Sequence, residues 1–258
     1  MRIFFIGISL FLFTTAEHTG RYPSASNAHS HNDYEQKFPF WTAWQHGFGS
    51  IEADVYLKNG QLIVAHDRKE VAAGRTLDSL YLLPLKKCIL SYHNKPFADN
   101  KKSLQLMIDI KSESSATLNS LVEKLESYPE LINCKKLIIA ISGNRPGTAT
   151  FKNGWPSWIR FDGVLSENYA DDALEKIVML SDNFANYSSW NAGSALTEVE
   201  RIKLKAVVEK AHSLNKKVRF WNAPDNPLAW QTFVALGVDY INTDHIEALS
   251  EMLKQRGR

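Results

Sequence analysis

The chain has 258 residues, 44% of them hydrophobic and 22% charged, which suits one globular domain with a sizeable core. Its 30 basic and 28 acidic residues leave a formal charge of +2, too near balance for the strong field that recruits nucleic acid or an anionic membrane surface. Nucleic acid is therefore not an expected partner; a small molecule or a lipid headgroup is.

The first residues stand apart. "MRIFFIGISLFLFTTA" has a basic start at Arg2, an apolar run from Ile3 to Phe13 and small residues at Thr14 to Ala16. It reads as a signal peptide over 1–16, because the run falls short of the roughly 20 residues that a spanning helix needs. An uncleaved anchor is the alternative. A secreted or periplasmic location follows, and with it oxidising surroundings for Cys88 and Cys134. Two cysteines do not make a disulfide framework, so one disulfide or two free thiols both stay open.

The rest, residues 21–258, shows no repeat, low-complexity tract or linker and reads as one domain. In chain order, "AHSHNDYEQ" at 28–36 closes a first strand-like run. Strands "SIEADVYL", "QLIVAHD" and "LQLMIDIK" follow, then a helix around "ATLNSLVEKLES" and strands "KKLIIAIS", "FDGVLSE" and "KIVMLSDN". A long helix "TEVERIKLKAVVEKAHSLN", strand "KVRFW", helix "PLAWQTFVALG", strand "DYINTD" and helix "IEALSEMLKQ" complete the chain. This alternation predicts parallel strands with crossover helices. A single (β/α)8 TIM-type barrel, regular or irregular, is favoured over a doubly wound open sheet. In either fold, chemistry belongs where strands run into loops at their carboxyl ends.

The unusual residues fall there. Glu52 and Asp54 are two apart on a strand, so both carboxylates leave one face while Ile51, Ala53 and Val55 take the other. Asp109 and Lys111 repeat the device in "LMIDIK". Acids facing the inside of a barrel repel one another and are costly to desolvate unless a cation sits between them. Glu52, Asp54 and Asp109 with no soft ligand describe a site for a hard divalent cation, Ca2+ or Mg2+; solvated edge-strand charges or one buried Asp–Lys pair are the bland reading. His66, after "QLIVA", joins His29 and His31 as candidate proton-transfer groups. Phosphodiester hydrolysis calls for such a set: a group to take a proton, one to give a proton, and positive charge for the phosphate. Trp221 is a candidate pocket wall or barrel filler, and Glu167 is read as a loop or helix-start residue rather than a metal ligand.

These blocks resemble the glycerophosphodiester phosphodiesterase and phosphatidylinositol-specific phospholipase C superfamily of β/α-barrel phosphodiesterases. The resemblance runs through "AHSHNDY", "GFGSIEADVYLKNGQLIVAHD", "LMIDIK" and "GVDYINTD", in the family's order. Two departures mark an outlying subfamily, like the altered inheritance of mitochondria protein 6 type. The His-Arg-Gly of typical members is His29, Ser30, His31 here, without the phosphate-binding arginine, and Asp109 stands in place of a glutamate, as in sphingomyelinase D. The resemblance implies a phosphoric diester hydrolase acting on a glycerophosphodiester or phospholipid headgroup, with His29, His31, His66 and Lys111 catalytic. His29 is the favoured first histidine, with His31 as phosphate helper; the reverse assignment stays open. Asn32 is a candidate substrate ligand, and with Asp33 it either orients the active histidine or forms an Asx turn. Two other classes are weighed. One is an amidohydrolase or polymerase-and-histidinol-phosphatase-type metal site built on the His-x-His, which needs further nitrogen ligands from His93, His212 or His245. The other is a non-catalytic headgroup-binding barrel.

Overall fold

The computed structural model describes residues 24–71 and 74–256; the signal-peptide reading lies outside them. Nine strands form one sheet: β1 (Ala28–Ser30), β2 (Ser50–Lys58), β3 (Gln61–Val64), β4 (Leu104–Ile110), β5 (Leu137–Gly143), β6 (Ile159–Val164), β7 (Ile177–Asn183), β8 (Lys217–Trp221) and β9 (Ile241–Thr243). Eight of them run parallel in the order β8-β7-β6-β5-β4-β2-β1-β9, and β3 lies off this path. The ends of the order meet at a bridge between Arg219 and Tyr240, with the Tyr240 amide donating to the Val218 carbonyl at 3.0 Å. The result is a nearly closed TIM-type barrel, as the alternation predicts.

Helices wrap the outside: α1 (Trp41–His46), α2 (Leu83–Ser91), α3 (Ser114–Glu126), α4 (Pro129–Ile132), α5 (Asp171–Leu174), α6 (Glu198–Ser213), α7 (Pro227–Leu236) and α8 (Ile246–Arg256). Their ends follow local chemistry. Thr197 and Glu200 form a reciprocal capping box at the start of α6. Asn226 caps α7 with Pro227 behind it, and Gly237 ends that helix in the left-handed region at φ +86°. No helix of the described residues is long and apolar enough to cross a membrane.

Strand alternation divides the core. Outward residues such as Ile51, Ala53, Val55, Leu106, Ile108 and Ile110 pack under the helices and are buried. Inward residues fill the barrel itself, where Met107, Met179 and Tyr240 form an apolar layer. Gln105, two residues before Met107 on β4, donates from Nε2 to Ser50 Oγ at 3.0 Å, and toward the mouth the carboxyl ends of the strands carry acids.

The run "QLIVAHD" is not a barrel strand. Asn59 and Gly60, with φ of +51° and +73°, turn the chain straight back, so β3 pairs antiparallel with β2. Two adjacent positive φ angles are what a tight two-residue hairpin needs, and Asn-Gly supplies them at least cost. The hairpin projects beyond the barrel mouth, and its return leg brings His66 back beside Asp54, whose carbonyl accepts the Ala65 amide at 3.2 Å. Cys88 and Cys134 are buried free thiols.

Candidate active site

The carboxyl ends of β1, β2 and β4 to β8 surround a cavity of about 380 Å³ lined by most of the candidate residues, among them His31, Asn32, Glu52, Asp54, His66 and Asp109. Asp54 and Asp109 are direct register partners on β2 and β4, which sets their carboxylates side by side. Glu52 lies two residues deeper on the same face. Each of the three offers an oxygen within 4.8 Å of the others. Asp54 Oδ1 and Asp109 Oδ1 are buried without a hydrogen-bond partner among the described residues. Orphaned buried carboxylate oxygens are expensive, and a hard cation would satisfy them. Gly143, at φ +69°, keeps the space open, since a Cβ there would lie 1.9 Å from Asp109 Oδ1.

Electrostatics agree with that reading. Burial, then the charge of Glu52, pushes the Asp109 carboxyl up to about 7. Asp54 is raised by the same two causes, with Lys111 opposing. Lys111 Nζ lies 3.1 Å from Asp54 Oδ2 and 3.3 Å from Asp109 Oδ2. Burial pulls its ammonium down, but Asp109 and Asp54 outweigh burial and keep it charged.

The two upstream histidines separate by depth. Both point inward, two residues apart, but His29 is fully buried one layer below the mouth. Its Nδ1 is 2.8 Å from Ser50 Oγ, and its Nε2 is 2.9 Å from Glu52 Oε2 and 2.7 Å from Arg219 Nη1. Burial, then the charge of Arg219, lowers it to about 4, so it is neutral under ordinary conditions. His31 lines the cavity, with Nδ1 2.9 Å from Asp244 Oδ1. Burial lowers its pKa, yet the Asp244 hydrogen bond and the charges of Glu52 and Asp244 raise it overall. His66 also lines the cavity, more than half exposed, with Nδ1 3.6 Å from Asp54 Oδ2 and 3.0 Å from the hydroxyl of Tyr34. Asn32 adopts the left-handed region at φ +45°, which turns the chain out of β1, and its Oδ1 is 2.8 Å from the same hydroxyl. Trp221 forms part of the cavity wall, 40% exposed. Glu167 accepts from Tyr169 in a turn and does not line the cavity.

Three residues of the site are not singled out in the sequence reading. Arg219, on β8, is 3% exposed and puts Nη1 3.3 Å from Glu52 Oε2 and Nη2 3.6 Å from Asp162 Oδ2. Burial pushes Glu52 up, but Arg219 and the His29 hydrogen bond reverse this and hold it well below the usual carboxylate range. The buried Asp162 also accepts from Ser142 and Ser181. Tyr34 is buried in the turn after β1, where burial, then Asp54, pushes its phenol far up and keeps it neutral. The signal for Arg219 is visible: a cation flanked by the apolar Val218 and Phe220 in mid-strand faces inward by alternation. His93, His212 and His245 do not line the cavity, and the ligand group among the described residues is three carboxylates, not an imidazole set.

Two families match the chain. The AIM6-like phosphodiesterase domain covers residues 21–133, and the glycerophosphoryl diester phosphodiesterase family covers 217–247. "Altered inheritance of mitochondria protein 6" of Eremothecium gossypii is 28% identical over 89% of this chain and 70% of its own length. The protein of the same name from Lachancea thermotolerans is 27% identical over 87% of this chain, which spans 65% of that relative. Among solved structures, a glycerophosphodiester phosphodiesterase from Parabacteroides distasonis superposes with a TM-score of 0.56 at 16% identity, covering 91% of this chain and 99% of its own. That likeness concerns the fold.

Proposed function

Since the chain is an outlying, AIM6-like member of the glycerophosphodiester phosphodiesterase and phospholipase C-like superfamily, we propose that it is a divalent-cation-dependent phosphoric diester hydrolase. Its substrate is a glycerophosphodiester or a phospholipid headgroup. The observation that carries this reading is one cavity mouth holding three mutually close carboxylates, two of them with orphaned oxygens, and two imidazoles. A pure headgroup binder has no need of two proton-transfer groups beside a cation site.

Glu52, Asp54 and Asp109 would hold the ion, which supplies positive charge to the phosphate oxygens when bound. Five acids of the lining, Glu52, Asp54, Asp109, Asp162 and Asp182, face three cations, Lys111, Arg145 and Arg219, so a divalent cation would balance the formal charge of the fully ionised set. His66 takes the proton from the attacking hydroxyl, of water or of the substrate itself. As the bond from phosphorus to the leaving oxygen breaks, His31 gives that oxygen a proton. The raised pKa of His31 suits an acid. His29 acts from below, holding Glu52 in place, and its depth supports giving the acid role to His31. Lys111 contributes a fixed charge, and Asn32 and Trp221 bound the headgroup. The leader read over residues 1–16 supports export.

The test is a screen of glycerophosphocholine, glycerophosphoinositol, phosphatidylinositol, lysophospholipids and sphingomyelin with Mg2+, Ca2+ or EDTA. Cation-dependent turnover of at least one is expected, and His31→Ala and His66→Ala should each lower it about a hundredfold or more. Turnover that survives EDTA, or full activity in both variants, would overturn the proposal.

A further inference from the structure

The hydroxyl of Tyr34 stands at the centre of a small polar knot. It lies 2.8 Å from Asp54 Oδ2, 2.8 Å from Asn32 Oδ1 and 3.0 Å from His66 Nδ1. A phenol has one hydrogen to give and lone pairs to accept with. Its three neighbours therefore cannot all be acceptors.

Which neighbour receives the hydrogen is decided by charge. A carboxylate can only accept, whereas an imidazole can donate from either nitrogen, and an amide can be turned to present its NH2 group. If the phenol donated to His66, its bare oxygen would face the bare Asp54 oxygen at 2.8 Å. If it donates to Asp54, His66 must carry its hydrogen on Nδ1, and Asn32 must turn its NH2 inward. With Asp54 ionised, only the second arrangement gives the hydroxyl a matching partner at all three contacts. It leaves His66 Nε2 unprotonated, and no partner for that nitrogen occurs among the described residues.

We propose that Tyr34 is a positioning residue that fixes His66 in the Nδ1–H tautomer and so leaves Nε2 as the base. This rests on the phosphodiesterase reading above and assigns a device to it. The chain runs His66 Nδ1–H to the Tyr34 oxygen, then Tyr34 O–H to Asp54, so a neutral phenol does for this imidazole what Asp244 does for His31. The phenol is well placed for the task. Asp33, beside it, accepts from the Phe40 amide at 2.6 Å, Ser30 Oγ at 2.8 Å and the Tyr81 hydroxyl at 3.0 Å, and Arg75 Nη2 donates to the Tyr34 carbonyl at 2.7 Å. A turn pinned at these points holds the hydroxyl still relative to both Asp54 and His66.

The experiment uses the full chain labelled with 15N-histidine. Two-bond 1H–15N spectra separate the Nδ1–H and Nε2–H tautomers, with the His66 signals assigned by their loss in His66→Gln. Spectra are recorded at pH 8 with EDTA and with Mg2+. Wild type should show Nδ1–H in both conditions. Tyr34→Phe, which keeps the ring, should move the population toward Nε2–H. It should also lower kcat about ten- to a hundredfold, with KM and the Mg2+ midpoint changed less than about threefold, since a misplaced tautomer removes a base needed in the transition state alone. Nε2–H in wild type overturns the proposal without any variant. So does a Tyr34→Phe enzyme whose kcat falls while the tautomer stays, because the loss then runs through Asp54, or one whose tautomer moves while kcat holds. Absence of turnover on every phosphodiester in the wild type would instead sink the phosphodiesterase reading, with the tautomer still decided by the spectra.

Discussion

Replacing Asp109 by Asn should change sign in its effect on stability according to whether a divalent ion is present. Burial and the Glu52 charge lift the Asp109 carboxyl from 3.8 to about 7. At roughly 1.4 kcal/mol for each pH unit, ionising it in the folded chain costs up to about 4 kcal/mol more than in the unfolded chain. A carboxyl raised by folding destabilises the fold above its folded pKa and ceases to do so below its unfolded one. In EDTA at pH 8, Asp109→Asn should therefore be more stable than wild type by about 2–4 kcal/mol, several degrees of melting temperature in a chain this long. The difference should shrink as pH falls from 8 to 5. Mg2+ or Ca2+ at a hundred times its dissociation constant stabilises the ion-binding chain by about 2.7 kcal/mol. Wild type should gain that and Asp109→Asn little of it. Thermal unfolding of both proteins, with EDTA and with the ion at each pH, measures all of these terms. A variant less stable than wild type in EDTA at pH 8, yet shifted equally by the ion, would refute the idea that these carboxylates wait for a cation.

Three other substitutions probe the surroundings of that cluster. Asp244→Asn removes the negative charge that helps raise His31, so the alkaline limb of kcat/KM should move to lower pH; an unmoved limb would disconnect His31 from the acid role. Arg219→Met leaves Glu52 and Asp162 buried without their cation and should cost about 3–5 kcal/mol in urea unfolding, part of it recovered by Mg2+. Asp33→Ala strands the buried Phe40 amide and should cost about 1–3 kcal/mol, with amide exchange in residues 31–40 rising first; unchanged protection there would show that the turn is held by other contacts.

The acid cluster is legible in the sequence because period-two alternation is unambiguous when Ile51, Ala53 and Val55 alternate with Glu52 and Asp54. Its third member follows from the same pattern around Asp109. Which histidine reaches the cavity is not legible. β1 is three residues long, and its depth is set by pairing with partners far along the chain, Ser50 on one side and Asn242 on the other. The hairpin is different, since Asn59-Gly60 between two apolar runs signals it locally, and "QLIV" reads as a barrel strand only if that turn is ignored. Tyr34 carries no periodic signal because it sits in a turn, where position comes from the tertiary contacts of Asp33 and Arg75. The arginine missing from the first block has no sequence-local replacement; Arg219 arrives from β8, nearly two hundred residues away, through barrel closure.

The stitching of the barrel is uneven, and this bears on how it breathes. β4 and β5 share seven register pairs, whereas β8 is joined to the run into β9 by one bridge, Arg219 with Tyr240, and by hydrogen bonds between Val218 and residues 239 and 240. Local opening is expected where strand pairing is sparsest, which makes the wall between β8 and β9 a candidate seam. Arg219 crosses that seam to His29, Glu52 and Asn242. The guanidinium is thus a clasp as well as a counter-charge. Were that seam to part, Arg219 and Trp221 on one lip would separate from His31 and Asp244 on the other, and the cavity mouth would widen along one line while the remaining strands keep their pairing.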